Sequence, residues 1–95
     1  MKLDVTHEAA EWYKEEYEIK EETELRLFVR YGGIGGLIPG FSLGVNIEKP
    51  DQIYAQKKIE NLTIYIEEKD AWYFDDKDLL IEFNTDLSEP EFSYE

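Results

Sequence analysis

The stretch Leu25-Arg26-Leu27-Phe28-Val29-Arg30-Tyr31-Gly32-Gly33-Ile34-Gly35-Gly36 decides how this chain is read. Leu25, Leu27, Val29 and Tyr31 alternate with Arg26, Phe28 and Arg30, the two-residue period of a β-strand with its Leu and Val side inward. Glycines follow at once, and Pro39-Gly40 adds a turn signal, so residues 32–40 read as a loop. Phe41, Leu43 and Val45 resume the alternation toward Ile47, until Lys49-Pro50-Asp51 breaks it. A dinucleotide fingerprint needs its glycines between a strand and a helix, because the helix N-terminus holds the pyrophosphate. Here the loop runs into a second strand instead. No Gly-Lys-Ser/Thr is present, which excludes a Walker-type phosphate loop. The glycines read either as a tight connection or as an altered ligand site.

Working outward, Thr6 is placed to cap a helix running to about Tyr17, with Ala9, Trp12, Tyr13 and Tyr17 on one apolar face. Glu8 and Glu11 sit early, where negative charge suits the helix dipole. Downstream, Ile53 to Ala55 reads as a short strand, and Leu62, Ile64 and Ile66 as a stronger one. Glu67 to Trp72 reads as a turn or one short helix. Leu79, Ile81 and Phe83 mark a further strand, and Phe92 and Tyr94 an edge strand after Pro90. The expected class is α+β, mostly β: an N-terminal helix packed on a mainly antiparallel set of strands, in one domain spanning 1–95.

The chain carries 10 basic and 23 acidic residues, a formal net charge of -13. Such a surface repels phosphate backbones and anionic membranes, so neither nucleic acid nor a membrane is expected as partner. A basic protein partner is favoured by the same field. Aromatics make up 15% of the chain, far more than a disordered acidic tail would hold. Zero cysteines exclude disulfides, thiol catalysis and thiolate ligation. No basic-then-apolar leader opens the sequence and no apolar run is long enough for a bilayer, so a cytoplasmic location is expected.

Four stretches carry a family likeness: Val5-Thr6-His7-Glu8-Ala9-Ala10, Leu25 through Gly33, Phe41-Ser42-Leu43-Gly44-Val45, and the strand containing Leu79, Leu80 and Ile81. Together they resemble the HesB-like family, which includes the A-type iron–sulfur cluster carriers. The resemblance implies a compact, mostly β fold. Active carriers hold iron or a cluster through three cysteines. One follows the glycine pair, and two lie in a Cys-Gly-Cys element near the C-terminus. This chain has Ile34 at the first place and only Leu87 to Glu95, without a thiol, at the second. Iron–sulfur centres prefer soft thiolates. The resemblance therefore implies a cysteine-free branch with no cofactor and no metal site of its own. The expected function is an accessory or protein-binding module linked to iron–sulfur metabolism. Two alternatives stand beside it: loose iron binding by carboxylates and His7, and a small enzyme with an unrecognised pocket.

No catalytic residue emerges, and the chain is not expected to be an enzyme. Ser42 and Ser88 lack a nucleophile-elbow context, and acids are too many to single out a catalytic pair. Asp70, Asp75, Asp76 and Asp78 cluster without calcium-loop spacing and read as a solvated turn. His7, the one histidine, reads as a surface residue. Arg26 and Arg30 share a strand face with Phe28 between them, and are placed to grip a carboxylate surface or to pair with nearby acids. The expected binding surface comprises Arg26, Arg30, Gly33, Ile34, Gly35, Leu37, Ile38 and Phe41, with a protein as partner. Leu37 and Ile38 either form an apolar tip there or fold back onto the core. Homo-oligomerisation stays open.

Overall fold

The computed structural model describes residues 1–33 and 35–95. Its elements run β1 (Leu3–Val5), α1 (His7–Glu16), β2 (Thr23–Tyr31), β3 (Phe41–Ile47), β4 (Ile53–Ile59), β5 (Leu62–Glu67), a 3-10 segment (Glu68–Phe74), β6 (Leu79–Asn84) and β7 (Glu89–Tyr94). The class is α+β, mostly β, as the alternation and the single amphipathic helix predict. The strands form a three-stranded sheet ordered β1-β6-β7 and a four-stranded sheet ordered β3-β2-β5-β4.

Both sheets are mixed. The hairpins β2–β3, β4–β5 and β6–β7 are antiparallel, as expected. The pairs β1–β6 and β2–β5 are parallel, which the expectation of mainly antiparallel strands leaves out. Each parallel pair joins strands far apart in sequence, so no local turn signal announces it.

Helix α1 starts where its cap predicts. The Thr6 hydroxyl accepts from the Ala9 N–H at 3.3 Å, and the Thr6 N–H donates to the Ile81 carbonyl at 2.9 Å, tying the helix start to β6. Its end is a Schellman closure. Glu18 takes the left-handed conformation at φ 51, and the Ile19 N–H reaches back to the Lys14 carbonyl at 2.8 Å. Ile19, just beyond, is buried. The helix buries Ala9, Ala10 and Tyr13, and packs on β6 and β7.

The core joins the inward faces of both sheets: Leu25 and Leu27 from β2, Leu62, Ile64 and Ile66 from β5, and Leu79 and Ile81 from β6. Each fully buried aliphatic side chain of this kind contributes roughly 1.5–3 kcal/mol. Tyr65 lies on the other face of its strand yet is sealed too, with its hydroxyl donating to the Glu48 carbonyl at 2.6 Å. Burial first, then the Glu48 and Glu67 charges, push that phenol up to about 12. No helix among the described residues is long and apolar enough to cross a membrane.

Candidate protein-docking surface

The core side of β2 carries Leu25, Leu27, Val29 and Tyr31 in turn. The first two are buried, Val29 is half-buried, and at Tyr31 the cover ends: this ring is 89% exposed. Phe41 stands opposite it in the β2–β3 register, with the rings perpendicular at 5.6 Å. Trp72, brought in by the 3-10 segment, meets Phe41 edge to face at 5.5 Å and is 55% exposed. Behind Trp72, the buried Tyr73 and Phe74 continue the ladder inward. Edge-to-face contacts add about 0.5–1.5 kcal/mol each beyond area burial, so these exposed rings are held in place.

The glycine loop is closed by the Gly32 N–H donating to the Gly40 carbonyl at 2.7 Å. The Leu37 N–H donates to the Tyr73 hydroxyl, which ties the loop to the core. Gly36 is required there: a Cβ would collide with the Phe41 carbonyl and the Tyr73 hydroxyl. Leu37 and Ile38 are half-buried against the core cluster, so they fold back rather than form a free tip. Gly33 is exposed at φ 82 and sits directly over the Ser42 side chain, while Gly35 is exposed. Ile34 lies outside the described residues.

Arg26 and Arg30 share the opposite face of β2, and their surroundings differ. Arg26 is 9% exposed, with its guanidinium 5.9 Å from the Phe28 ring centre. It donates from Nη1 to Glu48 and from Nη2 to Asp70, both at 2.9 Å. Burial works against its charge, but these two carboxylates outweigh burial and raise its pKa. Its Nε is buried without a partner among the described residues. Arg30 is exposed, and its Nε donates to the Ser42 hydroxyl at 2.9 Å.

The acidic clusters resolve into separate tasks. Asp70 holds Arg26, Asp78 accepts from the Lys2 N–H at 2.7 Å, and Asp75 and Asp76 are exposed at left-handed φ values of 47 and 60. One group does have the spacing of metal ligands: atoms of His7, Glu11 and Glu60 all lie within 4.8 Å of one another. A cation already occupies its carboxylates. The Lys14 ammonium lies 3.0 Å from Glu60 and 3.4 Å from Glu11. That hydrogen bond lowers the Glu60 pKa and raises that of Lys14.

Two exposed aromatics of this surface, Tyr31 and Trp72, fall outside the surface read from sequence. Tyr31 had a signal: it is the last core-side residue before the glycines, with no apolar residue beyond to cover it. Trp72 had only its aromatic character, because its place depends on where the 3-10 segment crosses the end of β2.

Comparison with known proteins bears on what this surface does. The chain is 40% identical over 95 residues to a Bacillus subtilis protein named pyruvate dehydrogenase inhibitor, covering 100% of each. It is 37% identical over 92 residues to an uncharacterised protein of Staphylococcus saprophyticus, covering 94% of each. It is 35% identical over 97 residues to an uncharacterised Staphylococcus aureus protein, covering 99% of this chain and 97% of the other. No family model matches, and no solved structure matches. These findings overturn the expected HesB-like membership, and with it the role in iron–sulfur metabolism and the loose iron binder. The physical reason lies in the positions that carried the likeness. Alternating apolar residues and a glycine pair are what a strand–loop–strand needs in any family, and they report folding rather than chemistry.

Proposed function

This chain belongs to the family of the Bacillus subtilis protein named pyruvate dehydrogenase inhibitor, and from that premise we propose that it inhibits pyruvate dehydrogenase by docking on it. The observation that carries this reading is the end-to-end similarity, 40% identical with neither chain left uncovered. The surface supports it. Protein interfaces concentrate their energy in a few well-packed aromatic and arginine side chains. Tyr31 and Trp72 around Phe41 are such anchors, with Gly33, Gly35, Leu37 and Ile38 of the glycine loop beside them and Arg30 next to Tyr31 on β2. Arg26, held by Glu48 and Asp70, is the strut beneath.

An inhibitor of this kind needs no reaction of its own, so the chain acts as a regulator and not as an enzyme. Its net charge of -13 favours a basic docking face on the partner and an association that slows as salt rises. The reading includes one functional unit over 1–95, a cytoplasmic location, and a protein rather than nucleic acid or membrane as target.

The test is the turnover of purified pyruvate dehydrogenase titrated with the wild type and with Trp72→Ala. The wild type is expected to lower the rate saturably. Trp72→Ala should weaken inhibition by a factor of about 30, the scale of losing one interface anchor. Full dehydrogenase activity under excess wild-type protein overturns the reading.

A further inference from the structure

The free edges of the two sheets are protected, with one exception. At one edge of the four-stranded sheet, β4 carries Lys57 and Lys58 and a register shift between Ile53 and Ala55. In the other sheet, β1 is only 3 residues long, and β7 carries Glu89, Pro90 and Glu91. Short length, charge, proline and bulges are the devices that keep an open edge from accepting another strand. The remaining edge, β3, has none of them. Its 7 residues, Phe41-Ser42-Leu43-Gly44-Val45-Asn46-Ile47, hold no charge and no proline, and they pair with β2 in unbroken register from Phe41 to Ile47. Alternate N–H and C=O groups of β3 therefore point outward, and no backbone bond from β3 beyond β2 exists among the described residues except Phe41 N–H to Ile38.

The core side of this edge is also incompletely covered. Phe41, Leu43 and Val45 are half-buried and Ile47 is 53% exposed, an apolar stripe running from the aromatic ladder to the far end of the strand. Open backbone and an adjoining apolar stripe are the two halves of strand-addition recognition. Backbone pairing gives affinity, and alternate side chains on the stripe give specificity.

We propose that β3 accepts an added strand from the inhibited enzyme: an extended segment of net basic charge whose apolar side chains lie along Leu43, Val45 and Ile47. Charge selects this occupant over a second copy, because a second copy brings the same -13 to the edge whereas a basic segment is attracted to it. The proposal rests on the inhibitor reading and names the part of the partner that is bound. Inhibition and the docking mode are therefore measured separately.

The experiment compares amide hydrogen exchange of the protein alone and saturated with purified pyruvate dehydrogenase, beside inhibition by Ile47→Lys. Outward β3 amides are expected to slow by about tenfold or more in the complex, since exchange there requires breaking the added pairing. Ile47→Lys is expected to weaken inhibition by a similar factor with an unchanged melting temperature. If the wild type inhibits while β3 exchanges as it does alone, strand addition is overturned and inhibition stands. If the wild type does not inhibit, the inhibitor reading falls and this inference with it. If β3 is slow in the free protein, at concentrations where it runs as a dimer, a second copy occupies the edge and the proposal is overturned. Should Ile47→Lys fail to fold, exchange on the wild type decides.

Discussion

Glu67 is 3% exposed, and both its oxygens are taken: the Asp51 and Gln52 N–H groups donate to them at 2.7 Å each. The Asp51 hydrogen bond leads in lowering its pKa below the ordinary 4.5, and burial opposes it. A depressed folded pKa stabilises the fold fully above the ordinary carboxylate range, and that contribution is lost as pH falls through the depressed value. Glu67→Gln should therefore melt below the wild type at neutral pH, and the gap should narrow as pH falls below the ordinary 4.5 and through the depressed value. A gap independent of pH would show that the ionised carboxylate is not what holds the turn. Arg26 shows where reading single residues stops. Alternation alone puts it beside Phe28 and on one face with Arg30. What it pairs with was not legible, because Glu48 and Asp70 are 22 and 44 residues away and reach it through the sheet register.

The Tyr73 hydroxyl is one of the ties between the glycine loop and the core. Tyr73→Phe leaves the Leu37 N–H without its acceptor, a loss of about 1 kcal/mol. The expected result is a modest fall in melting temperature and faster proteolytic nicking within 35–40, with the strands intact by circular dichroism. Unchanged nicking would mean that the Gly32–Gly40 bond and the packing of Leu37 and Ile38 hold the loop without it. Strands whose aliphatic side chains alternate were legible, including β2, β3, β5 and β6. The full length of β4 was not. It runs to Ile59, but Gln56, Lys57 and Lys58 replace the apolar signal, so the pattern fades after Ala55. Lysine suits an open edge, and the same chemistry that protects β4 hides it from a periodicity reading. β1 was missed because 3 residues are too few to show a period. The glycine loop and Phe41 could be singled out from sequence as candidates for a surface. The exposed position of Trp72 beside Phe41 could not be, since a 3-10 segment from late in the chain carries it there.

At the scale of the whole molecule, a net charge of -13 on 95 residues means that the folded state holds like charges close together. Raising salt from about 20 mM to about 300 mM shortens the screening length from about 20 Å to about 6 Å, well inside the domain. The melting temperature should rise by several degrees over that range; a flat or falling value would show that the ion pairs around Arg26 and Lys14 outweigh the general repulsion. The two ends of the fold also meet. The Lys2 N–H bonds to the Asp78 side chain at 2.7 Å, and the Glu95 N–H bonds to the Asp78 carbonyl at 2.9 Å. Because β1 lies parallel to β6, β1 has no partner until residues 79–84 have been synthesised after it. Until then Leu3, Val5 and the apolar side of α1 stay uncovered on the nascent chain, open to chaperones. Completion of the core thereby waits on β6, and a chain cut short before residue 79 cannot close it.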